Sequence, residues 1–271
     1  MNLKINIFHI AFCIIILLSV LLITGCVISD KIDIDIPEQS ENLVIEGYLT
    51  PDNPMEITLI KNNLMDNELI LQSIWNAKAY ITDRKDTIDL LNIFYSNKKR
   101  NILVNYRADS LPRVLAGNVL YLSVITKGND TLTGSAPVLS PIKIENAVIE
   151  DNYLHLSQSI TGGGFSGYLR VDMSAFRADS IYYKSSKTLD LSDSKSLNIK
   201  LQVSDEIQES DSLLVRTFHI SKDYYSYIVS LNDAINAYFD PFLTPEEIKS
   251  NIRNGIGIFT YYTKADTVII F

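Results

Sequence analysis

Strict alternation of apolar and polar residues, broken roughly every ten residues by turn chemistry, governs this chain from Asn42 onward. Successive side chains of a strand point to opposite faces, so the pattern sends one set to a core and leaves the other in water. Leu43, Ile45, Gly47 and Leu49 alternate with Val44, Glu46 and Tyr48 before the turn Thr50-Pro51-Asp52-Asn53-Pro54. Met55 to Ile60 alternates again. Lys78 to Thr82 and Thr87 to Leu91 flank Asp83-Arg84-Lys85-Asp86, and Asn118 to Thr126 and Thr131 to Thr133 flank Lys127-Gly128-Asn129-Asp130. Both read as hairpins with four-residue connections.

Ala136-Pro137 and Ser140-Pro141 then punctuate the chain, and the domain boundary is placed there. It separates an N-terminal β module over 42–139 from a C-terminal β domain over 140–271. Ile142 to Ile149, Tyr153 to Ser157, Tyr168 to Met173, Asn198 to Val203 and Leu213 to Ile220 read as strands. The serine-rich run from Ser185 to Ser196 reads as an exposed loop. Tyr224, Ile228, Leu231, Ile235 and Tyr238 form one stripe at helical period, which predicts an amphipathic helix over 222–239. Ser221 is its N-cap and Pro241 its stop. A capping Thr244, Pro245 at the first helical position and Glu247 at the third predict a short helix over 245–252. Ile258 to Tyr262 and Thr267 to Phe271 then close the sheet. The expected fold is mainly β: two β-sandwich-like modules, one amphipathic helix and one short capped helix near the C-terminus.

The first 25 residues are of a different kind. Lys4 precedes an apolar run from Ile5 to Ile23, followed by Thr24-Gly25-Cys26. A positive start, an apolar stretch and small residues before a cleavage point read as an export signal over 1–25. Because Cys26 follows Gly25 directly, the pattern resembles a bacterial lipobox, in which that thiol receives diacylglycerol before cleavage. The run is also long enough to span a bilayer by the roughly 20-residue criterion. The small-residue step at its end and the lack of a following Lys/Arg cluster favour the lipoprotein signal. Residues 26–41 then read as a tether, with Ile32, Ile34 and Ile36 alternating against Lys31, Asp33 and Asp35 before Pro37. A calcium loop would need a ligand where Pro37 stands.

Cys13 leaves with the leader, so an acylated Cys26 would be the last cysteine and no disulfide is available. An exported chain of this size must then rely on its core. Of 24 basic residues, 23 remain after Lys4 is removed; against 32 acidic ones the net charge is −9. That balance disfavours nucleic acid and anionic membrane as electrostatic partners. Attachment to the membrane falls to the lipid, and stable anchoring takes two or more chains.

Chemistry-bearing patterns are sparse. Gly162-Gly163-Gly164-Phe165-Ser166-Gly167 is formally G-x-G-x-x-G, but Tyr168 to Asp172 continues as a strand where a phosphate site needs a helix. The loop reads as a hairpin connection, and with Tyr168 in place of a closing glycine Ser166 is no nucleophile elbow. His155 and His219 each sit inside a β-alternating run, and two histidines give no zinc spacing. No enzyme activity, metal or cofactor is expected. The 15 tyrosines cluster at Tyr182-Tyr183, Tyr224-Tyr225-Tyr227 and Tyr261-Tyr262. They read either as core rings with wet hydroxyls or, with Trp75, as platforms for glycans or partner proteins.

The step Leu115-Ala116-Gly117-Asn118-Val119-Leu120-Tyr121-Leu122 looks like the penultimate strand of immunoglobulin-like or transthyretin-like modules. More of the chain carries a second likeness. The run Tyr225-Ser226-Tyr227, Asp240-Pro241-Phe242, Pro245 and Ser250-Asn251-Ile252-Arg253-Asn254-Gly255-Ile256-Gly257-Ile258-Phe259 resembles the closing signature of a family of Bacteroidota envelope lipoproteins, domain of unknown function 4249. Ile34-Asp35-Ile36-Pro37 and Leu43-Val44-Ile45-Glu46-Gly47 are similar to its opening. The resemblance implies an all-β lipoprotein of the outer membrane, on its periplasmic or surface face, often found beside TonB-dependent receptors. It carries no catalytic residues; Asp240, Pro241, Phe242, Asn251, Asn254, Gly255 and Gly257 read as structural. The function expected is that of a non-catalytic accessory to such a receptor or its cargo. A surface adhesin or glycan-binding module is the alternative.

Overall fold

A computed structural model describes residues 42–271 apart from 66–67, 98–101, 110, 112–113, 195, 241 and 245. The leader, Cys26 and the tether expected over 26–41 lie outside the described residues, as do Pro241 and Pro245. The chain runs through β1 (Asn42–Leu49), β2 (Glu56–Met65), β3 (Glu68–Ser73), β4 (Lys78–Thr82), β5 (Thr87–Asn97), β6 (Ile102–Arg107), β7 (Val119–Ile125) and β8 (Thr131–Pro137). It continues with β9 (Ile142–Glu150), β10 (Tyr153–Ile160), β11 (Tyr168–Arg177), β12 (Ser180–Asp190), β13 (Asn198–Gln202) and α1 (Asp205–Gln208). Last come β14 (Ser212–Ile220), α2 (Lys222–Phe239), β15 (Ile256–Tyr261) and β16 (Thr263–Ile270). The molecule is mainly β, with several sheets and two helices among the described residues.

Alternation settles which face of each strand is dry. In β1, Ile45, Gly47 and Leu49 are buried while Val44, Glu46 and Tyr48 are partly exposed. The two hairpins form as their turn residues require: β4 pairs β5 and β7 pairs β8, with Arg84 and Asn129 at φ of 75° and 67°. Asp83 Oδ1 accepts the backbone N–H groups of Lys85 and Asp86, closing the first turn.

The first sheet has nine strands in the order β15-β1-β2-β6-β5-β4-β7-β8, with β3 added on β2. It therefore draws on residues beyond 42–139, because β15 pairs parallel with β1, Val44 opposite Ile256 through Leu49 opposite Tyr261. Its two ends come together and nearly close it into a barrel. Thr133 and Arg253 exchange backbone hydrogen bonds of 2.8 and 3.3 Å across the seam. Ile45, Leu59, Val124, Leu132 and Phe259 are wholly buried inside.

A second core lies between the three-stranded sheet β13-β10-β9 and the four-stranded sheet β12-β11-β14-β16, both antiparallel. Leu154, Leu169, Val171, Ala175, Ile207, Leu213 and Val215 are its inaccessible members. The change from one core to the other falls between Leu139 and Ile142.

Three local expectations need correction. The short helix over 245–252 does not form: the described residues 246–252 are irregular. The capping chemistry of Thr244 and Glu247 is overruled by a tertiary bond, Lys249 N–H donating to Ser230 Oγ at 2.8 Å. The second helix is α1 instead. Ser185 to Asp190 belongs to β12, an edge strand with one wet face, so its polarity is that of an exposed strand. The glycine loop is not a hairpin connection, because β10 and β11 belong to different sheets.

Candidate functional site

The outward faces of β1, β11 and β14 converge on an open cleft of about 1150 Å³. Period-two alternation puts its residues there: Arg170 and Asp172 point away from the buried Leu169, Val171 and Met173, while Arg216 and Phe218 alternate with buried Val215, Thr217 and His219. Strand register then arranges them in two rows. Asp172 stands opposite Arg216, and Arg216 opposite Asp266; Arg170 stands opposite Phe218, and Phe218 opposite Lys264.

The first row is a carboxylate–guanidinium–carboxylate ladder. Arg216 Nε donates to Asp266 Oδ1 at 3.0 Å. Arg170 reaches across to Asp172 with two bonds, Nε to Oδ1 at 2.8 Å and Nη2 to Oδ2 at 3.0 Å, the bidentate geometry that fixes both planes. Ser186 on β12 donates to the same Asp172 Oδ1 at 2.7 Å. Burial opposes the charge on Arg170, yet the Asp172 carboxylate outweighs it and raises the guanidinium pKa. Arg170 also lies 5.6 Å from the Phe218 ring centroid.

The opposite wall is aromatic. Tyr48 of β1 meets Tyr224 of α2 at 5.7 Å between centroids, Tyr224 meets Tyr262 at 6.3 Å, and Tyr262 meets Phe218 edge-on at 5.6 Å. Behind this chain, Tyr227 donates to Glu46 Oε1 at 3.4 Å. Burial raises the Glu46 pKa, offset in part by that bond. Burial and then the Glu46 charge push Tyr227 up to about 12 and Tyr48 higher still. Near neutral pH these phenols keep their protons, so the wall is uncharged and presents apolar ring faces.

The residues singled out in the sequence sort into several places. His219 is fully buried: its Nδ1 bonds Ser140 O at 2.8 Å and its Nε2 accepts the Ser166 N–H at 3.0 Å, which defines the neutral tautomer. Ser166 Oγ donates to Ile220 O at 2.6 Å, so the histidine holds the glycine loop through its backbone and not through the hydroxyl. Trp75 is 40% exposed and packs on Phe94, 5.9 Å between centroids, away from the cleft lining. Among the tyrosines, Tyr106, Tyr227 and Tyr261 are buried, Tyr182 is exposed, and Tyr183 is partly buried against the second core.

Asn251, Asn254, Gly255 and Gly257 meet at the barrel seam. The Asn251 amide donates to Ser135 O and Phe259 O at 3.0 and 2.8 Å, and its Oδ1 accepts the Phe259 N–H at 2.9 Å, clasping β8 to β15. Asn254 donates to Thr131 O at 2.9 Å. Gly257 has φ of 118°, and a Cβ there would collide with the carbonyl oxygen of Ile45 on the paired strand. Asp240 and Phe242 are elsewhere: Asp240 Oδ1 accepts the Phe242 N–H at 3.0 Å just past α2, and Phe242 is 95% exposed.

Of the residues singled out in the sequence, Tyr224 and Tyr262 line the cleft, whereas its charged residues carry no motif, being spread from Glu46 to Lys264 and brought together by the fold. Among the described residues no group of three or more His, Cys, Asp or Glu could hold a metal ion, and no helix is long and apolar enough to cross a membrane.

Fold and cleft together define a multi-sheet β protein with a polar, aromatic-walled groove. Residues 29–267 match the family model described as Domain of unknown function (DUF4249), and the chain belongs to that family. No curated protein matches it.

Proposed function

We propose that this is a non-catalytic envelope lipoprotein, anchored through Cys26 in the outer membrane, that serves a TonB-dependent receptor or its cargo as an accessory. In this reading the three- and four-stranded sheets form a sandwich-like module and carry one side of the binding groove. The observation that carries the proposal is the cleft itself. Its guanidinium and carboxylate groups are already paired in ladders, which suits reversible recognition of a polar partner surface. The leader and the lipobox resemblance supply the anchoring half of the argument.

The test is a pull-down of the lipidated chain from mildly solubilised envelopes. A β-barrel receptor should co-purify with the native chain and be lost with the double variant Arg216→Ala, Phe218→Ala. Repeated absence of such a receptor sinks the reading. The aromatic chain Tyr48–Tyr224–Tyr262–Phe218 favours a second reading, a glycan-binding module, because stacked rings bordered by hydroxyls and carboxylates suit sugar faces and edges. A glycan array with the same double variant as control separates the two.

A further inference from the structure

The apolar stripe of α2 is only half covered. Of its members, Tyr224, Ile228 and Leu231 are partly buried while Ile235 is 45% and Tyr238 84% exposed, with Phe239 beside them at 77%; the fully buried residues, Tyr227, Ser230 and Ala237, lie on the neighbouring face. Phe242 at 95% and Leu243 at 48% extend this bare surface past the helix end. Five large exposed apolar side chains fall within nine residues, with the Tyr238 and Phe239 rings edge-on at 5.2 Å, a concentration of the kind that marks an interaction site.

The direction of α2 shows where that patch lies. Tyr224 stacks on Tyr48, and one turn later Tyr227 bonds Glu46, so the helix runs antiparallel along β1. From Tyr227 to Phe239 the helix advances about 18 Å. From Glu46 back to Asn42 the strand covers about 13 Å. The aromatic end of α2 and the first residue of β1 therefore share one pole of the molecule. Only residues 27–41 separate Asn42 from Cys26, and 15 residues reach at most about 50 Å even fully extended.

On these grounds we propose that the patch of Ile235, Tyr238, Phe239, Phe242 and Leu243 seats the protein on the lipid surface to which it is tethered, with the rings at headgroup depth. The inference rests on the anchoring through Cys26 proposed above. Tyrosine and phenylalanine at a helix end suit the bilayer interface, where a ring is buried and a hydroxyl stays wet. Residues 233–249 carry four exposed acids, Asp233, Asp240, Glu246 and Glu247, against one exposed base, Lys249, so the surface it fits is zwitterionic and not anionic lipid.

The experiment uses the full lipidated chain carrying Phe242→Trp with Trp75→Phe, mixed with phosphatidylcholine–phosphatidylethanolamine vesicles. A second probe, Asn53→Trp with Trp75→Phe, sits in the turn at the other end of β1. Flotation with the vesicles reads anchoring; quenching by brominated phosphatidylcholine reads seating. The expected result is flotation of both proteins, with emission of the position-242 probe reduced about two-fold or more and that of the position-53 probe unchanged. Flotation without quenching at 242 overturns the seating and leaves the anchor standing. Failure to float overturns both. Absence of lipid quenching, with a blue shift at 242 only when solubilised envelope proteins are added, assigns the patch to a protein partner and also overturns the seating.

Discussion

Asn251 holds more of the fold than its size implies. Its amide closes three hydrogen bonds between strands that no turn connects, and it does so while partly buried. Asn251→Ala would leave the Ser135 and Phe259 carbonyls and the Phe259 N–H without that partner, which should cost about 3 kcal/mol in denaturant unfolding. His219 makes a pH-dependent contribution. Burial lowers its pKa below the ordinary 6.5, only partly offset by the bond to Ser140, so the unfolded chain takes up a proton first as pH falls. Its contribution is complete above about pH 6.5 and is lost as pH drops towards the folded-state value. The urea midpoint should fall between pH 7.5 and 5.5 in the native protein and fall less in His219→Gln. Glu46 has the opposite sign: burial raises its pKa, so its contribution is complete below the unfolded value of 4.5 and disappears as pH rises through the folded one. Glu46→Gln, which still accepts from Tyr227, should therefore raise the midpoint at pH 7.5 and leave it nearly unchanged at pH 4.

Among the elements, α2 follows its sequence most closely at its start. Ser221 caps it, its side chain accepting the Tyr224 N–H at 3.2 Å, and Ser221→Ala should cost about 1 kcal/mol, read as a shift in thermal midpoint. Its apolar stripe was legible too, but legibility of a stripe does not say what covers it: Tyr238 carries the period and faces solvent. Strands with a dry face, such as β1 and β7, declared themselves by alternation, and so did the two hairpins. β12 did not, because its outer face is polar and it lies at a sheet edge. Nor could the cap at Thr244 reveal that Ser230 would draw the Lys249 backbone away from a helix. The cleft was hidden for a related reason: Asp172, Arg216 and Asp266 are neighbours only by register, and register is a property of three strands together.

At the scale of the whole molecule, the described residues are held by two cores and a seam and include no cysteine. The sequence has two cysteines, Cys13 and Cys26, and both precede the first described strand. The thermal midpoint of the chain should accordingly be the same with and without a reductant; a fall of several degrees would reveal a cross-link through Cys13 or Cys26. The parallel pairing of β1 with β15 has a consequence in time. A polypeptide is born from its N-terminus, so β1 must wait through nearly the entire synthesis for the neighbour that covers its edge. Until Ile256–Tyr261 emerges, the earlier strands form an open cylinder wall with Ile45 and Leu132 short of the ring of Phe259. Closure of the barrel is thereby deferred: whatever the earlier strands do, one edge of the first stays uncovered until residues 256–261 have left the ribosome.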